Sequence, residues 1–194
     1  MRSRILAGVV VLSLLLVAAG CAGPKPEESV KACLDAMIKA DYAKAAEYVN
    51  GGSAEDMLQA PEGDEEAGAA LIEALLGQIS YELGDSNVSG DSATVAVKVT
   101  APDMMAVTGK VMMEAMGAAF AMAFSGGGSE DAISDMFMSA YQEAIEAADA
   151  PMTTTDVTIN LVKSGGKWLI NSDEALGDAL TGGMISAWEQ FEGK

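Results

Sequence analysis

Between Ser29 and Ala40 the apolar residues Val30, Cys33, Leu34, Met37 and Ile38 recur at i, i+3, i+4, i+7 and i+8, while Lys31, Asp35 and Lys39 fall off that stripe. That is the period of an amphipathic helix with one buried face. A second helix is predicted over "DYAKAAEYV", with Asp41 as N-cap, Tyr42, Ala45, Tyr48 and Val49 at helical spacing, and "NGG" at 50–52 as the stop. The two would meet in a corner. "SAEDMLQAPEGDEEAG" reads as a looser acidic stretch, and "AALIEALLGQ" resumes the helical period.

At Ile79 the period changes. Ile79, Tyr81 and Leu83 alternate with small or polar residues, as do Val95, Val97 and Val99. Period two with β-branched residues predicts strands, and "GDSNVSGDS" supplies turn chemistry between them. "APDMMAVTGKVMMEAMGAAFAMAF" returns to a helix, apolar enough to be buried or to line a groove. Lys110 and Glu114 break it, and a charge at a bilayer centre costs about 3 kcal/mol, so it is not read as a membrane span. "SGGGS" separates it from an amphipathic helix carrying Ile133, Met136, Phe137, Ala140, Tyr141, Ala144 and Ile145 on one face. A second hairpin follows, with Val157, Ile159 and Leu161 alternating, "KSGGKW" as the turn, and Trp168 and Ile170 on the return strand. Short helices close the chain, with Trp188 and Phe191 available to pack. The fold class is α+β: N-terminal helices on a curved antiparallel sheet, with a two-helix insertion between two β-hairpins.

The first residues follow a different pattern. Arg2 and Arg4 precede an uncharged run from Ile5 to Gly20, which is shorter than the roughly 20 residues that span a bilayer. A basic start, an apolar middle and a small-residue end make a secretory signal over 1–20. Its end, "AAGC", resembles the lipobox of bacterial lipoproteins, although Ala18 stands where Leu is commonest. The resemblance implies lipidation of Cys21, which would become the mature N-terminus and hold the protein to the extracytoplasmic face of the cell membrane. An ordinary secretory site with an incidental cysteine is the alternative. Residues 21–28, with Pro24, Pro26, Glu27 and Glu28, read as a lipidated tether. One domain is expected over 29–194, with 103–150 as its helical insertion.

Charge and composition narrow the function. The formal net charge is −18 and falls further when Arg2 and Arg4 leave. Such a surface repels nucleic acid and anionic headgroups; its plain role is solubility. The sequence contains no histidine, the commonest general base and metal ligand near neutral pH. "SGGGSED" lacks the Lys-Ser/Thr of a phosphate loop and follows no strand. The acids at 62–66 lack the Asp/Asn ladder of a calcium loop. With Cys21 lipidated, Cys33 has no disulfide partner, and its place on the apolar stripe makes it a packing residue. No cofactor or metal is expected.

"VKACLDAMIKADYAKAAEYV" and "VTINLVKSGGKWLIN" resemble the opening helices and closing hairpin of small bacterial lipoprotein domains of the nuclear transport factor 2-like, or cystatin-like, class. The resemblance covers both ends and the "ATVAVKV" strand, and the inserted helices depart from it. It implies a sheet that wraps the helices into a cone, and a homodimer through a sheet face.

Methionine is the compositional oddity. Met104, Met105, Met112, Met113, Met116, Met122, Met136 and Met138 cluster in the inserted helices. Core filling is the first reading of these methionines, ahead of an adaptable apolar groove and of Cu(I) binding through the thioether. The leading expectation is a non-catalytic binding or interaction module. Its apolar ligand or peptide site would lie between the sheet and the inserted helices, with Met112 and Met116 as ligand-binding residues. A structural cell-envelope protein without a small ligand, and a carboxylate enzyme using Asp156 or Asp173, are the alternatives.

Overall fold

A computed structural model describes residues 24–51, 65–125, 130–171 and 174–186. Helix α1 (Pro26–Met37) starts before the apolar stripe does. Pro26 takes its first position, where the missing N–H costs nothing because that donor has no intrahelical partner. Glu27 and Glu28 fill the first turn, where the helix dipole favours negative charge. Pro26, Glu27 and Glu28, expected in an extended segment, are instead a helix start. Val30, Cys33, Leu34 and Met37 are buried, as their spacing predicts.

Helix α2 (Tyr42–Ala46) is shorter than the spacing implies. Asp41 caps it, accepting from the Lys44 N–H at 3.1 Å. The chain then leaves helical geometry, and Val49 bridges Ile170 in parallel at the sheet edge. The Ile170 N–H donates to the Tyr48 carbonyl at 2.7 Å and the Asn50 N–H to the Ile170 carbonyl at 2.8 Å. Strand pairing wins over the local helical period there.

Helix α3 (Glu65–Gly77) leads into β1 (Ser80–Ser89) and β2 (Ser92–Pro102). Helices α4 (Met104–Ser125) and α5 (Glu130–Glu146) come next, then β3 (Met152–Ser164), β4 (Lys167–Ile170) and α6 (Glu174–Leu180). The strands form one antiparallel sheet in the order β1-β2-β3-β4. This is the α+β arrangement, two hairpins flanking two helices, that the pattern predicts. Trp188 and Phe191 lie outside the described residues, as do Asp173 and the acids at 62–64.

Register explains the core. Ala93 pairs with Leu161, Val95 with Ile159 and Val97 with Val157, and all six side chains are buried on one face. Residues of α1, α3 and α6 cover that face, with Leu34, Met37, Leu76, Leu176 and Leu180 fully buried. Each such side chain contributes about 1.5–3 kcal/mol by leaving water. The first turn is narrower than predicted: β1 continues through Ser89, and the reversal is Gly90–Asp91 alone, with Gly90 at φ +64°. The extra polar residues are absorbed by a bulge. Leu83 pairs with Val97 but Ser86 with Val95, so the edge strand carries one residue more than its neighbour.

Two polar ties fasten α1 to β1. The Tyr81 hydroxyl donates to Asp35 at 2.6 Å, and Lys31 pairs with the same carboxylate at 2.6 Å. The Lys31 hydrogen bond, then that of Tyr81, holds Asp35 below the ordinary carboxylate range. The Ser86 hydroxyl donates to Glu27, which lowers that carboxyl too.

A second core lies among the helices. Leu75, Met104, Val107, Val111, Ala144 and Ile145 are buried together, with Leu71, Phe137, Ala140 and Tyr141 around them. Helix α3 serves both cores, Leu75 facing the inserted helices and Leu76 the sheet. The insertion closes at its neck, where the Asp103 N–H donates to the Pro151 carbonyl at 2.8 Å.

Candidate functional site

Helix α4 turns Met104, Val107, Val111 and Ala115 inward at helical spacing. Its other face is apolar as well. Met105 and Met112 are about half exposed, Met113 is 76% exposed and Met116 71%. The core-filling expectation is corrected for these four methionines; Met104 alone among the α4 methionines with described side chains fills a core. Valines complete the helical core, and with both faces rich in apolar residues only Lys110 and Glu114 mark the outward side in the sequence. Met136 and Met138 on α5 are half-buried.

Met112 and Met116 therefore stand one turn apart on the outward side of α4. The inserted helices pack on each other and on α3, so these two residues do not line a space between helices and sheet. Around them the surface is small: Ala106, Gly109 and Gly117 are exposed, and nothing stands within 4 Å of a Cβ built on either glycine. Lys110 and Glu114 are the charged residues of α4. Among the described residues neither joins an ion pair; the one such pair is Lys31–Asp35.

The solvent face of the sheet is polar instead. Glu82 pairs with Lys98 and Lys98 with Asp156, so opposite charges alternate across three strands. A shallow depression of about 360 Å³ opens there over Gly84, Ala96 and Thr158. Asp156 and Glu82 are kept on separate strands by Lys98, and do not converge as an acid pair would. At the hairpin end a second depression, about 460 Å³, is lined by Asn87, Ser92, Thr94, Asn160 and Asn171. Neither contains Met112 or Met116. Among the described residues no cluster of three His, Cys, Asp or Glu could hold a metal ion.

Cys33 is fully buried, its thiol 3.7 Å from the Ala45 carbonyl. Burial pushes its pKa from near 9 to about 12. In a chain carrying Cys21→Ser, native Cys33 should react with a disulfide reagent at pH 8 at least ~100-fold more slowly than in urea. The same burial sets a sign at alkaline pH. Stability due to the neutral thiol is fully present below pH 9 and is lost as pH rises from 9 towards 12, because the unfolded chain ionises first. Cys33→Ala should lack that slope in denaturant titrations across the same range.

The fold and its outward helix define a class: a small α+β domain that carries a helical pair on a four-stranded antiparallel sheet. The chain belongs to the family described as domain of unknown function DUF5105, whose model matches residues 69–185, from α3 through the end of the described chain. It is similar in structure to ycdA of Bacillus subtilis, a candidate lipoprotein solved by crystallography, with a TM-score of 0.57 and 13% identity. The match covers 80% of this chain and 54% of that one, so this chain spans about half of ycdA's length. No curated protein matches the chain. Among the described residues no helix is long and apolar enough to cross a membrane.

Proposed function

We propose that this protein is a lipid-anchored, extracytoplasmic interaction module of the cell envelope, without catalysis, and that the outward methionine face of α4 is its contact surface. The observation that carries this reading is the exposure of Met105, Met112, Met113 and Met116 on one helix whose opposite side is already packed. Single exposed apolar residues are ordinary; four on one helix mark a place where another molecule removes area from water. Unbranched thioether side chains adapt to a partner's shape at little steric cost. The "AAGC" end of the signal-like segment supports the anchor at Cys21, and the likeness of fold to ycdA agrees with it. The helices-on-sheet layout also agrees with the cystatin-like resemblance. The lack of histidine and the separation of Asp156 from Glu82 by Lys98 support a non-catalytic role.

The test uses the full chain in its native envelope, with a photoreactive residue placed at position 112 or 116. Adducts are expected from both positions, weakened at least ~10-fold by a Met113→Glu change on the same face. Adduct yields no higher than those from position 158 on the sheet would end the reading. Cys21→Ser should move the protein from the membrane to the soluble fraction; retention in the membrane would remove the anchor.

A further inference from the structure

We infer that the partner of the α4 face is a second copy of this chain, bound antiparallel across a two-fold axis beside Met112 and Met113. The inference rests on the interaction reading above and adds the identity of the partner.

A two-fold contact must be self-complementary: what residue i meets in residue j, residue j must meet in residue i. The α4 face satisfies this in steric terms. With the axis at the level of Met112 and Met113, Met113 meets the partner's Met113 at the centre, and Met112 lies at the edge of the contact. Gly109 then lies opposite the partner's Met116, and Met116 opposite the partner's Gly109. Both methionines are exposed, and the space above Gly109 is open, so a side chain can seat on that glycine.

The charges fit the same axis. Lys110 falls beside the partner's Glu114, and Glu114 beside the partner's Lys110. Antiparallel helices bring the same flank of each copy together, and Lys110 and Glu114 share one flank at i, i+4 spacing. Within one helix, Lys before Glu is the weaker order of that pair because it opposes the helix dipole. Neither side chain is committed to an ion pair among the described residues. Overall charge argues for the same surface. Two copies of a chain with formal charge −18 repel each other over most approaches. Helix α4 carries one positive and one negative side chain, so a second copy can approach there without meeting excess negative charge.

One helix per copy buries less than the roughly 800 Å² per partner of a standard stable interface, so the dimer would be weak in free solution. Two chains anchored in one membrane face each other at a raised effective concentration, and a weak contact then suffices. The sheet face, with its alternating Glu82, Lys98 and Asp156, remains free.

The experiment is cysteine crosslinking of the full-length protein in its native membrane. Met113→Cys lies nearest the axis and should give a disulfide dimer under mild catalysed oxidation, at least ~10-fold above Thr158→Cys on the sheet. Lys110→Glu in the Met113→Cys background should reduce the dimer about fivefold, and Lys110→Glu with Glu114→Lys should restore it. Restoration also shows that the single variant was folded. Equal dimer from both cysteine positions, or no recovery in the double exchange, overturns the antiparallel pair. Photoadducts from position 112 to another protein, without dimer from Met113→Cys, overturn the second copy while leaving the interaction reading standing. Absence of both ends the two together.

Discussion

Replacing Gly182 by Ala is expected to cost roughly 4 kcal/mol or more, enough to leave much of the protein unfolded at ordinary temperature. Gly182 has φ +62°, a left-handed conformation that costs an L side chain about 1–2 kcal/mol. That alone would be tolerable. Steric overlap weighs more: a Cβ at this position would stand 1.8 Å from the Pro102 carbonyl oxygen and 3.0 Å from its carbon. Both are backbone atoms, at the end of the central strand β2, so no side-chain rotation relieves the overlap. The turn itself has little freedom. The Thr181 hydroxyl is buried and donates to the Gly177 carbonyl at 2.9 Å, and the Gly183 N–H donates to the Asp178 carbonyl at 2.8 Å. Gly183 provides the control. Its φ is +83°, but nothing lies within 4 Å of a Cβ there, so Gly183→Ala should cost only about 1–2 kcal/mol. Urea unfolding of the two variants beside the parent separates backbone conformation from steric overlap. Equal losses would mean that conformation, not approach to Pro102, decides the position.

Leu75→Ala and Leu76→Ala should each lose about 2–5 kcal/mol, the range for deleting a buried leucine side chain. They are neighbours in α3, exposed by 2% and 0%, yet they enter different cores. The size of the loss therefore says little, and its distribution says much. Leu75→Ala thins the cluster of Met104, Val107, Val111 and Ile145, so amide exchange should accelerate chiefly in α4 and α5. Leu76→Ala thins the layer between α1 and the sheet, so exchange should accelerate through β2 and β3. Identical exchange patterns would show that the two clusters open as one unit.

Much of this architecture can be read from spacing. Val95, Val97 and Val99 alternate and are buried; Val30, Cys33, Leu34 and Met37 follow a helical stripe and are buried. These elements are legible because one face is apolar and the other is not. Helix α4 is not legible in that way. Met112, Met113 and Met116 are as apolar as Val107 and Val111, and only the packing of α3 and α5 decides which set is covered. The end of α2 is hidden for a different reason. Val49 fits the helical spacing, but its pairing with Ile170 is made by residues more than a hundred positions away. The bulge in β1 is hidden because "GDSNVS" has turn composition and serves as an edge strand, where polar residues and an irregular register are tolerated. The exposed methionine face has a sequence signal in the methionine cluster itself, and its direction has only Lys110 and Glu114 to mark it.

The neck between Asp103 and Pro151 bears on how the chain finds its structure. Strands β2 and β3 are separated by about 50 residues where Pro102 pairs with Met152 and by about 70 where Ser92 pairs with Val162. Closing so long a stretch directly is an entropic burden that slows sheet formation. Helices form within microseconds, so α4 and α5, which contact each other in the fold, are expected to pair before such distant strands meet. Once that helical pair closes, the Asp103 N–H is within reach of Pro151, and the first rung of the β2–β3 ladder lies next to it. Pairing is then expected to proceed away from the neck, as a zipper does. In that order of assembly the inserted helices would convert the longest-range step in the sheet into a nearly local one, and the place of the insertion would set the sequence of events.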